Sequence, residues 1–113
     1  MKKTEFGLLE TELSEIVAAV SARDSVESAV IFGSRAKGNY RPGSDVDIAL
    51  NGPAIRHEDI VEVGYFLNEE TLLPYQFDIV AYATIDNEAL RDHIDRVGRE
   101  IFRRSPPGVR GKK

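Results

Sequence analysis

The stretch Ala29–Gly52, AVIFGSRAKGNYRPGSDVDIALNG, contains the pattern that decides the fold of this chain. An apolar run ends at Gly33, a polar loop with several glycines follows, and Asp45 and Asp47 flank a single valine where the next apolar run begins. Because side chains alternate across a strand, two residues with this spacing project from the same face. Two carboxylates so close together repel each other, which favours a cation between them.

Apolar periodicity around this stretch predicts helices that alternate with strands. Helical spacing of apolar residues predicts three helices, over about 4–22, 56–73 and 86–97. Short runs rich in β-branched and aromatic residues predict three strands, over about 26–33, 45–52 and 76–83. Asp86 is the expected cap of the last helix and Gly98 its end. The segment 99–104 fits a terminal strand nearly as well as a continued helix.

These elements indicate an α+β domain, an α/β sandwich in which one mixed sheet of three to four strands is flanked by helices. The loop 34–44 contains Gly38, Pro42 and Gly43, so any helix within it must be short. Since no crossover helix separates the first two strands, we expect them to be antiparallel neighbours.

The composition limits the class of protein. The chain has 113 residues, enough for one domain with a single core. It contains no cysteine, which excludes disulfides and thiolate metal sites and favours a reducing compartment. The N-terminal MKKTEFGLLE is charged where a signal peptide needs an apolar core, and no apolar run approaches the ~20 residues that cross a bilayer. We therefore expect a soluble, cytoplasmic protein without membrane contact.

The net charge of −4 conceals an uneven distribution of charged residues. Residues 103–113 hold five of the 15 basic residues and no acidic one, so the rest of the chain carries 10 basic and 19 acidic side chains, a net charge of −9. Such an acidic body argues against direct nucleic-acid binding. The last residues are also too poor in apolar side chains to pack. We predict a folded domain over 1–104 and a disordered basic tail over 105–113.

The glycine-containing loop matches neither of two common nucleotide-binding motifs. Gly33 and Gly38 are separated by four residues, but Asn39 and Tyr40 stand where the P-loop requires Lys followed by Ser or Thr. The Gly-x-Gly that begins a Rossmann fingerprint is also missing.

The same loop is nevertheless suited to a phosphate group. Gly33 allows the backbone to approach a phosphate closely, and Ser34 adds a hydroxyl and an N–H. Arg35, Lys37 and Arg41 make the loop the most basic stretch outside the tail, which suits a triphosphate bound to an acidic body. The alternative for these three side chains is a solvated loop without a ligand.

A third carboxylate lies in the later apolar run FDIV. Asp78 stands there between Phe77 and Ile79, where a charged residue has no packing reason to be. Three carboxylates on adjoining strands suit two Mg²⁺ ions, which prefer carboxylate oxygens and substrate phosphates and lie ~3.5–4 Å apart in phosphoryl-transfer sites. Asp45, Asp47 and Asp78 are therefore the predicted metal-binding and catalytic residues.

The order of these motifs resembles the signature of the minimal nucleotidyltransferase family, within the DNA polymerase beta superfamily. The resemblance rests on Gly33-Ser34, Gly38, Ser44-Asp45-x-Asp47 and Asp78. It spans about 26–102, because LRDHIDRVGREIF also looks like the closing element of that family. It implies the nucleotidyltransferase fold, ATP as substrate and two Mg²⁺ ions as cofactors.

For individual residues the resemblance implies distinct roles. Asp45 and Asp47 would bind both ions, while Asp78 would bind the catalytic ion and help to deprotonate the acceptor hydroxyl. AMP would pass to that hydroxyl, and pyrophosphate would leave. Nucleotide contacts are expected from Gly33, Ser34, Arg35, Lys37 and Ser44.

The short chain has no room for a domain that recognises the acceptor, so we expect a partner chain or a second copy to hold it. Small members of the family resemble antitoxins that silence a HEPN-domain ribonuclease toxin by transferring AMP to one of its tyrosines. This AMPylation is the leading hypothesis. One alternative is nucleotide transfer to a small molecule such as an aminoglycoside. Another is a non-catalytic module that masks the toxin or only binds nucleotide.

The remaining polar and aromatic candidates are weaker. His57 and His93 lack the spacing of metal ligands, so we expect them at the surface or at an edge rather than in catalysis. Tyr40 is a candidate to stack on adenine, with a place in the core or at its rim as the alternative.

Overall fold

A four-stranded mixed sheet forms the centre of the protein, whose computed structural model describes residues 2–105. Its strands, in chain order, are β1 (Ser28–Phe32), β2 (Val46–Asn51), β3 (Phe77–Ala81) and β4 (Arg99–Arg103). Their order in space is β3-β2-β1-β4. β1 pairs antiparallel with both β2 and β4, and β2 pairs parallel with β3. The predicted mixed sheet, with its first two strands antiparallel, is confirmed.

Four α-helices flank the sheet: α1 (Glu10–Ser21), α2 (Ser34–Lys37), α3 (His57–Tyr65) and α4 (Glu88–Val97). A π-helical turn, Phe66–Glu70, extends α3, and a 3₁₀ turn, Tyr82–Thr84, follows β3. The short α2 agrees with the expectation for the loop 34–44. Within residues 2–105, no helix is long and apolar enough to span a membrane.

The two faces of the sheet belong to separate apolar clusters. On β2, Val46, Ile48 and Leu50 are buried in the larger cluster, together with residues of α1 and α3. Ala49 lies in a smaller cluster on the other face, with Phe32 of β1 and Ile94 of α4. Since side chains alternate along a strand, the odd-numbered residues of β2 face the side that α4 covers.

Several element boundaries differ from the predicted ones. α1 begins at Glu10 rather than near residue 4, because a turn precedes it in which Gly7 has φ +76° and the Gly7 N–H donates to the Thr4 carbonyl. α3 and its π-helical turn end at Glu70 rather than near residue 73. Asn87, not Asp86, caps α4, because its side chain accepts a hydrogen bond from the Leu90 N–H.

For the segment after α4, the sequence analysis left two alternatives, a terminal strand or a continued helix. Gly98 follows α4 as predicted, and its N–H donates to the Ile94 carbonyl. The chain then forms β4 rather than continuing as a helix. The predicted disordered tail, 105–113, lies outside the described residues except for Ser105.

Candidate active site

Two of the three predicted aspartates lie directly opposite each other on neighbouring strands. In the parallel pair of β2 and β3, Asp47 and Asp78 are register partners. Register partners point to the same face of a sheet, so both lie on the side that α4 covers. β2 begins at Val46 rather than at the predicted residue 45, so Asp45 lies just before the strand, close enough for its charge to act on Asp47.

The three carboxylates interact electrostatically. Partial burial, followed by the charges of Asp78 and Asp45, raises the pKa of Asp47 from 3.8 to about 6. Asp45 and Asp78 are exposed, so the group opens to solvent on one side. Across residues 2–105, no three acidic, histidine or cysteine side chains are gathered closely enough to surround a metal ion. The chemistry of the donor set nevertheless fits Mg²⁺, because the charges of Asp78 and Asp45 both act on Asp47 and a divalent cation would relieve this repulsion.

The raised pKa predicts that Asp47 lowers the stability of the fold at neutral pH. Between about pH 4 and 6 the folded protein binds a proton that the unfolded chain has released, so stability falls as pH rises through this window. We expect Asp47→Asn to raise the free energy of unfolding by about 1–2 kcal/mol at pH 7, the full shift being reduced because the site is partly solvated. The gain should vanish near pH 3.

Urea unfolding at pH 7 and pH 3 measures this effect, with Asp24→Asn as the control. Asp24 is exposed in the connection between α1 and β1, so its replacement should change stability by less than about 0.5 kcal/mol at either pH. A D47N protein less stable than the wild type at pH 7 would contradict the account.

Gly33 brings the backbone against the Asp47 carboxylate. Its φ is +77° and its ψ −157°, a conformation that residues with a side chain rarely adopt. A Cβ atom at this position would overlap Oδ2 of Asp47. The carbonyl of Gly33 accepts hydrogen bonds from the N–H groups of Ala36 and Lys37, and so begins α2. The Gly-Ser step is thus fixed beside the acidic group.

Two glycine substitutions compare the position beside Asp47 with a position that faces open space. Gly38 also has a positive φ, +91°, but a Cβ atom there would meet nothing within 4 Å. We expect Gly38→Ala to cost about 1 kcal/mol and Gly33→Ala about 3 kcal/mol, because the φ and ψ of Gly33 suit glycine alone and a Cβ atom there also displaces Asp47. Urea unfolding measures both costs. Equal losses for the two variants would show that the contact with Asp47 has no energetic weight.

Arg35 has a different place from the one that the sequence analysis assigned to it. Its side chain is 1% exposed, and its guanidinium donates to the backbone carbonyls of Phe6, Pro42 and Ser44 at 2.9–3.5 Å. The guanidinium also lies 4.8 Å from the ring centre of Tyr75. Its donors are directed to the protein itself, so Arg35 shapes the loop and we leave it out of the proposed nucleotide contacts.

The other predicted loop residues differ in their accessibility. Lys37 is exposed, and Ser34 is partly exposed at the start of α2. The Ser44 hydroxyl accepts a hydrogen bond from the Arg41 N–H at 2.7 Å and closes a turn. Tyr40 lies 5.3 Å from the Arg35 guanidinium and covers Gly7, which places its ring at the rim of the core.

His93 is the residue near the site that sequence reasoning missed. Its Nε2 accepts a hydrogen bond from the Gly33 N–H at 3.1 Å, although the two residues are 60 positions apart. Its ring stands edge-on to Phe32, with ring centres 6.2 Å apart. The available signal was its position: three residues after Leu90 and next to Ile94, His93 belongs to the side of α4 that packs on the sheet.

The protein has the architecture of a nucleotidyltransferase domain: helices flank a mixed sheet, and two neighbouring strands carry opposed aspartates beside a Gly-Ser step. The sequence model of the family described as "Polymerase beta, Nucleotidyltransferase" matches residues 14–107. The chain therefore belongs to the polymerase beta nucleotidyltransferase family. No functionally curated protein matches the chain.

Solved structures share the fold. The chain is similar to one in a crystal structure of a toxin–antitoxin with AMP-PNP, at 18% identity and a TM-score of 0.69, covering 82% of this chain and 74% of that one. A second is the tri-AMPylated Shewanella oneidensis HEPN toxin in complex with its MNT antitoxin, at 16% identity, a TM-score of 0.62 and coverage of 81% and 70%. A third, a proposed nucleotidyltransferase from Sulfolobus solfataricus, has 26% identity, a TM-score of 0.51 and coverage of 81% and 78%.

Proposed function

We propose that this chain is a Mg²⁺-dependent nucleotidyltransferase that moves AMP from ATP to a hydroxyl acceptor. The observation that carries the proposal is the register of β2 and β3, which sets Asp47 opposite Asp78 beside the Gly33–Ser34 step. Family membership supports the reaction class, and the position of the acidic group supports these residues as its centre.

Asp45, Asp47 and Asp78 are the residues that would hold Mg²⁺. When bound, the ions would neutralise the charge of the triphosphate and of the leaving pyrophosphate. Asp47 must be ionised to serve as a ligand, and with a pKa of about 6 it is largely ionised at pH 7. Transfer should therefore decline as pH falls below 6.

The remaining steps are assigned to residues around the acidic group. Gly33 lets the outer phosphates approach the backbone closely, Ser34 offers them its hydroxyl and N–H, and the exposed Lys37 adds a positive charge there. The acceptor oxygen forms a bond to the α-phosphorus, the bond to the β-phosphate oxygen breaks, and pyrophosphate leaves. The proton of the acceptor hydroxyl passes to the carboxylate of Asp78, which is exposed to an incoming acceptor. Positioning of the two reactants supplies much of the acceleration.

For the acceptor we propose a tyrosine of a HEPN ribonuclease toxin, with this chain as its cytoplasmic antitoxin. The described residues form one sheet with helices on its two faces, and a separate lobe for an acceptor is absent from residues 2–105. A partner chain is then the source of the acceptor. Two solved structures with the same fold are toxin–antitoxin complexes, one of them with an AMPylated HEPN toxin.

Intact mass measurement of the partner tests this function. The chain is incubated with ATP, Mg²⁺ and the proposed partner, a helical ribonuclease sought by co-purification from the native cell, and a parallel sample contains AMP instead of ATP. We expect the ribonuclease to gain the mass of one or more AMP units and to lose activity in the ATP sample alone. Inhibition of a ribonuclease of unchanged mass would favour a masking module instead. Transfer to an aminoglycoside without any protein partner would favour the small-molecule alternative.

A further inference from the structure

His93 makes the most informative contact outside the predicted site residues. It lies on α4, between the active-site end of the sheet and the smaller apolar cluster, which contains Phe32 and Ile94. The buried side chain of Ile94 and the partly buried Leu90 fix α4 on the sheet. His93 is therefore held on a rigid element rather than on a loop.

The contact defines the state of the imidazole. A ring nitrogen accepts a hydrogen bond only when it carries no proton, so this contact requires the hydrogen of the imidazole on Nδ1. The donor is the N–H of Gly33, which belongs to the peptide group between Phe32 and Gly33. Phe32 is also the register partner of Asp47 in the pair of β1 and β2.

Gly33 is thus held at three points. Its N–H donates to His93, its α-carbon lies against Asp47, and its carbonyl accepts the first hydrogen bonds of α2. A glycine has the widest choice of backbone conformations, so fixing one of them requires contacts of this kind. Among these three contacts, only that with His93 comes from outside the segment 33–47.

We infer that His93 is a positioning residue of the nucleotide site: through the Gly33 N–H it holds the Gly33–Ser34 step in the orientation that receives the outer phosphates. The inference rests on the proposed function, because it assigns the phosphates to this step. The imidazole itself binds no phosphate in this arrangement. Its loss leaves the step free to rotate, and the nucleotide must then select the competent orientation from several.

Nucleotide binding by three variants tests the inference. His93→Leu removes the acceptor and keeps an apolar side chain of similar size, His93→Gln keeps an acceptor, and His57→Leu replaces the exposed histidine that begins α3. Titration with AMP-PNP and Mg²⁺ gives the dissociation constants. We expect H93L to bind about 10-fold more weakly than the wild type, H93Q to remain within about 3-fold, and H57L to be unchanged.

Other results of the binding titration would contradict the inference. Tighter binding by H93L would show that the imidazole competes with phosphate for the Gly33 N–H, and unchanged binding would show that the contact has no role; both overturn the inference. Equal weakening of H93L and H93Q, with parallel losses of thermal stability, would reduce His93 to a packing residue. Absence of nucleotide binding by the wild type would instead overturn the proposed function, and this inference with it.

A second measurement on the wild type does not depend on nucleotide or on variant folding. The hydrogen bond predicts a nitrogen–nitrogen coupling in the NMR spectrum between the Gly33 amide and Nε2 of His93, and a proton on Nδ1. A proton on Nε2 would overturn the inference even if transfer activity were established.

Discussion

Replacement of both Asp45 and Asp47 by asparagine is expected to lower the rate of the proposed AMP transfer by about 10³-fold, while leaving the fold intact. Asparagine keeps the size of each side chain but removes the charge that would hold Mg²⁺ against the triphosphate. Transfer of radiolabel from ATP to the partner protein measures the rate. The raised pKa of Asp47 indicates that its charge destabilises the folded state, so the substitution should not unfold the protein. The loss of transfer would therefore reflect the chemistry of the site and not a folding defect.

Two comparisons separate catalysis from folding in this experiment. Asp24→Asn removes an exposed carboxylate away from the site and should transfer AMP at the wild-type rate. The D45N/D47N protein should unfold at a urea concentration no lower than the wild type. If the double variant still transferred AMP within 10-fold of the wild-type rate, the assignment of these two carboxylates would be wrong.

Replacement of Arg35 by methionine is expected to lower the free energy of unfolding by about 3 kcal/mol, which corresponds to a loss of roughly 10 °C or more in Tm. Methionine fills a similar volume but leaves the carbonyls of Phe6, Pro42 and Ser44 without their donor in the interior. These carbonyls belong to the N-terminal segment and to the end of the loop 34–44, so the loop should loosen as well. Thermal unfolding followed by circular dichroism measures the effect.

Lys37→Met is the matched control, because Lys37 is exposed in the same short helix. It should leave stability within about 0.5 kcal/mol of the wild type, and it should weaken ATP binding by removing a charge near the phosphates. The two basic residues of α2 are therefore expected to affect different properties. A stable R35M protein with weakened nucleotide affinity would instead restore the sequence-based assignment of Arg35 to the phosphates.

The acidic group was largely predictable because its geometry is local. The spacing of Asp45 and Asp47 around one valine is enough to predict that their charges interact, and the glycine before Ser34 marks a close approach of the backbone. Asp78 was predictable as a member of the group from its position in an apolar strand. The pairing of Asp78 with Asp47 was not predictable, because the sequence alone does not show that β2 and β3 are neighbours or in which register they pair.

The hydrogen-bond contacts of Arg35 and His93 were not predictable, because their partners are distant in the sequence. A carbonyl that Arg35 binds belongs to Phe6, 29 positions away, and the Gly33 N–H that His93 binds is 60 positions away. A basic side chain in a glycine-containing loop is ordinarily solvated or bound to phosphate, so sequence alone does not predict that Arg35 is buried and bound to backbone carbonyls. Likewise, the boundary of α1 depends on a turn at Gly7 that interrupts an otherwise helical apolar pattern.

The most direct test of the central claim uses ATP radiolabelled at either the α- or the γ-phosphate, with the chain, the proposed ribonuclease partner and Mg²⁺. If the three aspartates form a nucleotidyl-transfer centre, label from the α-phosphate should appear on the partner and label from the γ-phosphate should appear only in pyrophosphate. The D45N/D47N protein should transfer neither. Label from the γ-phosphate on the partner, or equal labelling by the wild type and the double variant, would contradict the account.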